Sequence, residues 1–125
     1  NIDSMINEFV HFFSKEGLSE KLEFLNPDVI IKQVENVTKN IEKRFDLTLS
    51  GKMKFNLMMH NALMVERTML GVEDYEIPAN LEELTINQKP FFQNAKNIFY
   101  TLEQFYRIEI SNWELYVIYE ILSSR

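Results

Sequence analysis

The sequence predicts an all-α fold, and three observations lead there. Apolar residues recur at intervals of three and four rather than alternating, which is the period of a helix face. Only three glycines and three prolines interrupt 125 residues, so breakers are sparse. A hydrophobic content of 46%, with 13% aromatic residues, excludes general disorder and is enough to build a core within one domain.

The elements follow in order. Ile2, Met5, Ile6, Phe9, Val10 and Phe13 form one stripe of a first helix over Ile2 to Lys15, which Gly17 is expected to stop, with a short helical continuation from Leu18 to Leu25. Asn26-Pro27 is a start signal, because asparagine caps and proline tolerates the first helical position. Val34, Val37 and Ile41 carry the apolar face of the second helix toward Phe45. Ser50 is expected to cap a third helix, and Gly71 to end it in a left-handed conformation. Residues 72 to 88 are acidic and lack sustained periodicity, as in a surface connection with room for one short helical turn. Glu73, Asp74 and Glu76 within it lack the ligand spacing of a calcium loop. Pro90 opens the next helix, with an expected buried stripe of Phe91, Ala95, Ile98, Leu102 and Phe105. Ser111-Asn-Trp-Glu114 has the form of a capping box, and Ile110 and Leu115 can close a hydrophobic staple. A final helix over Asn112 to about Leu122 follows.

Charge and composition narrow the function. A net charge of -6 argues against nucleic acid or an anionic membrane as the surface this domain docks on. No apolar run approaches the ~18 residues of a membrane span, and the first residues do not resemble an export signal. A soluble, cytoplasmic chain is the expectation. The absence of cysteine removes disulfides, thiolate metal sites and thiol catalysis.

The main site candidate lies in Phe55-Asn-Leu-Met-Met-His60-Asn-Ala-Leu-Met-Val-Glu66-Arg67. His60 and Arg67 are seven residues apart, almost two turns, which places both on one stripe of a largely apolar helix. Imidazole can act as a neutral nucleophile near pH 7, and guanidinium is a natural partner for a phosphoryl group. The pair suggests a histidine that handles phosphate, with Asn56, one turn earlier, able to orient the ring or donate to the phosphate.

Plainer readings exist for each feature. His60 could be structural, and Glu66-Arg67 could form surface ion pairs. Met53, Met58, Met59, Met64 and Met69 suit core filling, and the aromatic run Phe99, Tyr100, Phe105 and Tyr106 suits packing rather than base stacking. Catalysis by His60 with Glu66 is disfavoured, since six residues put them about 120° apart around the helix. Two histidines remote in sequence and no cysteine give poor prospects for a metal. No cofactor, metal or catalytic residue is therefore expected.

Leu57-Met-Met-His60-Asn-Ala-Leu-Met-Val-Glu66-Arg67 resembles the signature of the PTS regulation domain. Ser19 to Pro27 looks like the entry segment of the C-terminal such domain in LevR-like transcriptional activators, and Leu102 to Glu114 like the stretch leading into the family's last helix. The resemblance implies a compact bundle of about five helices, residues 1–125 forming one regulation domain cut from a longer multidomain regulator. It implies no catalysis. It implies regulation of sugar-utilisation genes through a phosphoryl group received from the histidine phosphocarrier protein or an EIIB component of the phosphotransferase system. Phosphorylation in this family changes domain packing or dimerisation, so a homodimer is compatible with it. His60 matches the phosphoacceptor and Arg67 the arginine after it. Ile121 stands where many members carry a second histidine, and His11 lies outside the motif, so a single phosphorylation site is expected. The alternative is a helical interaction or dimerisation module that is never phosphorylated. The sugar system, the donor, the sign of regulation, the oligomeric state and the effector domains are not written in these residues.

Overall fold

A computed structural model of the chain describes residues 2–72 and 76–124. Among them it contains six helices, α1 (Ile2–Lys21), α2 (Pro27–Arg44), α3 (Gly51–Leu70), α4 (Leu81–Asn87), α5 (Lys89–Tyr106) and α6 (Asn112–Ser123), and no strand. The all-α expectation holds. The sixth helix is α4, which occupies part of the segment read as a connection; Glu73 and Asp74 lie outside the described residues. The chain divides into two units, Asn1–Glu66 and Arg67–Arg125, so that α3 contributes residues to both.

In the first unit α1 packs on α2, and the helix starts are set by short polar side chains. Asn26 Oδ1 accepts from the Asp28 amide at 2.9 Å with Pro27 at the first helical position, and Ser50 Oγ accepts from the Met53 amide at 3.1 Å. Each removes one of the unsatisfied donors of a helix N-terminus. α2 buries Ile30, Ile31, Val34, Val37 and Ile41, the expected face with two residues added.

α1 departs from expectation twice. It runs through Gly17 to Lys21, because the missing side chain serves close packing rather than a turn: a Cβ there would stand 3.1 Å from Met59 Cε. Beyond it, Leu22 to Leu25 are not helical. The stripe Ile2, Met5, Ile6, Phe9 and Phe13 is exposed, and α1 buries Ser14 and Leu18.

In the second unit α3 ends as expected. Gly71 adopts φ 69°, with Val72 N–H donating to Arg67 O at 3.0 Å and Gly71 N–H to Thr68 O at 3.2 Å. This is the paired geometry that satisfies the last carbonyls of a helix through a left-handed residue. α5 closes without glycine: Arg107 takes φ 55° and its amide donates to Glu103 O. The α5–α6 link is then fixed by Ile110 N–H to Glu103 Oε2 at 2.9 Å and Lys96 Nζ to Ile110 O at 2.8 Å. The α5 core stripe is Phe92, Ala95, Ile98, Phe99 and Leu102. Phe105 is exposed and Phe91 half-buried, so the buried face is rotated by roughly 45° from the expected one, less than half of the ~100° between successive residues. α6 starts at Ser111, whose Oγ accepts from the Glu114 amide at 3.3 Å. Ile110 and Leu115, the two staple positions, are both fully buried.

Candidate functional site

The candidate site is carried by α3. An N-cap at Ser50, a left-handed stop at Gly71 and an interior free of glycine and proline give an uninterrupted helix over Gly51–Leu70. In the first unit its faces differ in chemistry. Leu57, Met58, Ala62, Met64 and Val65 are buried, Asn56 is exposed, and His60 is half-buried. The His60 Nε2 atom is itself buried, so a donor reaching that nitrogen needs the cover over it to open. The neighbouring Asn61 is fully buried, and neither its amide oxygen nor its nitrogen has a hydrogen-bond partner.

Glu66 is not a surface charge. It is 6% exposed, and its carboxylate gathers the turn between α1 and α2: Oε1 accepts from the Glu23 amide at 3.1 Å, and Oε2 from Phe24 and Leu25 amides at 2.9 Å each. Burial by itself pushes this carboxyl up, but the amides of Leu25, Glu23 and Phe24 outweigh it and hold the group below its ordinary value. The segment expected to be helical is thus an extended turn whose donors are satisfied by one ion. Sequence reasoning missed this role, although the register held a signal. Met58, Ala62 and Glu66 are spaced by four and share a buried stripe, so Glu66 was placed to face inward.

Arg67 belongs to the second unit. Its Nη2 donates to Glu114 Oε2 at 3.0 Å and to Oε1 at 3.3 Å, with Arg67 33% and Glu114 5% exposed. The carboxylate expected to reach back onto the Ser111 amide is therefore turned toward the guanidinium, while the Ser111 half of the capping box forms. Arg67 and Glu114 tie the end of α3 to the start of α6, and the two bonds use only Nη2 of a group with five N–H donors. The expected Arg67 contact with a phosphoryl group must accommodate this partner. Asn56 and His60 stand one turn apart on the helix. His11, outside the motif, has Nδ1 2.8 Å from Glu35 Oε1, in a pairing that sequence spacing does not show. Among the described residues no group of three or more potential ligands could hold a metal, and no helix is long and apolar enough to cross a membrane.

Two comparisons bear on this arrangement. A family model described as PRD domain matches residues 35–125, which include His60, Glu66, Arg67 and Glu114. The chain is also similar to the transcriptional regulatory protein DagR of Salmonella typhimurium, 27% identical over 116 residues. That alignment covers 93% of this chain but 12% of the relative, so the chain spans about one eighth of that protein's length. No solved structure matches.

Proposed function

The chain belongs to the PRD family, and from that premise we propose that it is the sensory part of a bacterial transcription regulator, phosphorylated on His60 by a protein of the sugar phosphotransferase system. The observation that carries the reading is the place of His60 on α3. It is a half-buried imidazole inside the family match, followed by a Glu-Arg pair of which Glu66 binds the turn between α1 and α2 and Arg67 binds Glu114.

The chemistry is transfer between nitrogen nucleophiles or their equivalents. A neutral ring nitrogen of His60 attacks the donor's phosphorus, the P–N bond forms as the donor's bond to phosphorus breaks, and the leaving group keeps the electron pair. Cationic groups, from the donor protein or from Arg67 as the arginine expected to meet the phosphoryl group, would stabilise charge on the group in transit. The product carries roughly -1.5 to -2 charge, by analogy with other phosphorylated side chains. That charge arises beside buried Leu57 and Met64, where a desolvated anion is costly. The domain must respond by exposing the site or by supplying cations to it, and either response is a signal that attached effector domains can read. Asn56, exposed one turn before His60, is placed to orient the ring or the incoming phosphate. In this reading the domain performs no catalysis of its own, takes no cofactor and works in the cytoplasm on sugar-utilisation genes.

The test is phosphoryl transfer from phosphoenolpyruvate through the purified phosphocarrier protein, with and without EIIB components, onto wild-type and His60→Ala chains, read by intact mass and phosphohistidine NMR. One phosphoryl group on wild type and none on His60→Ala is expected. Labelling that survives His60→Ala removes the site assignment; failure of every donor leaves a helical interaction module.

A further inference from the structure

α6 is apolar or aromatic nearly all round, a pattern that suits a helix covered on every side. The second unit covers one side of it. Leu115, Ile118 and Leu122 are buried, whereas Trp113, Tyr116 and Tyr119 are half-buried. These three rings recur at every third residue and so follow one ridge of the helix surface. Their centroids are 5.9 and 6.1 Å apart, with the Tyr116 and Tyr119 planes 19° from parallel. Phe91 of α5 extends the row, its ring 5.1 Å from Tyr119 and steeply tilted to it.

Shape and charge decide what such a row can hold. Rings along the outside of one helix make a ridge, which does not match an amphipathic helix that needs a groove. The helices around the row lack cations: neither α4 nor α6 contains a lysine or arginine, so stacking of nucleic-acid bases is disfavoured. The rim is acidic instead. Glu120 is exposed on α6 and receives the Tyr116 hydroxyl, and Glu82 and Glu83 are exposed on α4, which packs against both α5 and α6. The surface therefore calls for an extended, cationic segment that presents flat apolar groups at a fixed pitch.

We propose that the Trp113, Tyr116 and Tyr119 row docks a proline-rich segment of a partner protein that carries a basic residue beside its prolines. In polyproline II the chain rises ~3.1 Å per residue, so prolines three apart are separated by ~9.3 Å. That fits within the strip of about 12 Å that the three rings span at their measured spacings. One proline packs on Trp113 and the other on Tyr119, with the Tyr116 ring between them. Such a chain makes no internal hydrogen bonds, so its carbonyls can accept from the Tyr119 hydroxyl. A flanking arginine pairs with Glu120 or with the α4 carboxylates and stacks on an outer ring.

The experiment uses the unphosphorylated 125-residue chain and does not involve His60, so its outcome is independent of the phosphoryl-transfer reading. Trp113 is the single tryptophan, and its fluorescence reports directly on the row. Emission is titrated with a synthetic proline-rich peptide holding two prolines three apart and one flanking arginine, up to about 1 mM, the weak end of specific binding. A saturable change is expected. The same peptide with alanine for both prolines should bind at least about tenfold more weakly, as should wild-type peptide to Tyr116→Ala, which removes the central ring. Glu120→Lys, at an exposed position, keeps all three rings; it should weaken the arginine peptide several-fold and favour a version with glutamate in its place. Far-UV circular dichroism checks that both variants keep the wild-type helix content. No saturable change in emission, equal binding of the alanine peptide, or binding indifferent to both Tyr116→Ala and Glu120→Lys overturns the proposal.

Discussion

Replacing Glu66 tests whether one carboxylate holds the turn between α1 and α2. In Glu66→Gln the amide oxygen can still serve the Phe24 and Leu25 amides, which share Oε2. The new NH2 then faces the Glu23 amide, which loses its acceptor. One charge-assisted bond is lost, the other two are weakened to neutral ones, and hydrogen bonds to charged groups contribute about 1.5–3 kcal/mol each. The expected cost is about 2 kcal/mol for Glu66→Gln. Glu66→Ala removes all three acceptor contacts and leaves space at a site 6% exposed, so about 3–5 kcal/mol is expected, allowing for water reaching some of the freed amides. Against a total stability of ~5–15 kcal/mol, the alanine variant approaches unfolding.

Urea unfolding followed by far-UV circular dichroism at pH 7 measures these differences, and the pH series checks their cause. The folded-state pKa of Glu66 is lowered below its ordinary 4.5, so the stabilisation is fully present above about pH 4.5 and is lost as pH falls through the folded value. The gap between wild type and Glu66→Gln should therefore close on acidification. Amide exchange at residues 23–25 should accelerate in both variants. A Gln variant within about 0.5 kcal/mol of wild type at pH 7, or a gap that persists in acid, would refute the clasp.

Three further outcomes follow from the same structure. Arg67→Ala leaves Glu114 buried without the bonds to its Nη2, so it should cost about 2–4 kcal/mol, and the double variant with Glu114→Gln should recover part of the loss; simple additivity in a double-mutant cycle of unfolding energies would show that the pair is not coupled. Asn61→Leu removes two buried unpartnered polar atoms at nearly constant volume and should be neutral or raise stability by about 1–2 kcal/mol; destabilisation in urea would show that the amide is satisfied in solution. Gly71→Ala should cost about 1 kcal/mol because φ is 69°, whereas Gly17→Ala should be nearly neutral, since its new methyl meets only the flexible end of Met59; thermal melts of the two variants side by side decide it.

What the sequence made legible was local. Asn26, Ser50, Gly71 and Ser111 act within a few residues of themselves, and each occupies the cap or stop that its chemistry implies. What it hid depends on partners remote in the chain. Gly17 looks like a stop until Met59, 42 residues on, is seen to pack against it. Glu66 looks like half of a surface ion pair until the amides of Glu23, Phe24 and Leu25, 41 to 43 residues earlier in the chain, are seen to donate to it. The capping box at Ser111 was half right, because Arg67 competes for the glutamate that the motif assigns to the backbone, and a charged donor is the stronger attraction.

The α1 stripe shows the deeper limit. Periodicity reports that a helix has an apolar face but not which surface covers it. Ile2 to Phe13 satisfy the helical period, yet the core of this unit is closed by Ser14 and Leu18 of the same helix. An amphipathic pattern thus has two solutions, burial within the chain or burial against something else, and sequence reasoning defaults to the first. The same indeterminacy touches His60. Its spacing to Arg67 is fixed by the helix, but Arg67 is already bound to Glu114, and its neighbour Glu66 to the α1–α2 turn. The Glu-Arg step is therefore a pair of fastenings. Conservative replacements there, such as Arg67→Lys, should report in stability. His60→Ala, at a half-buried position on α3, should report in transfer first.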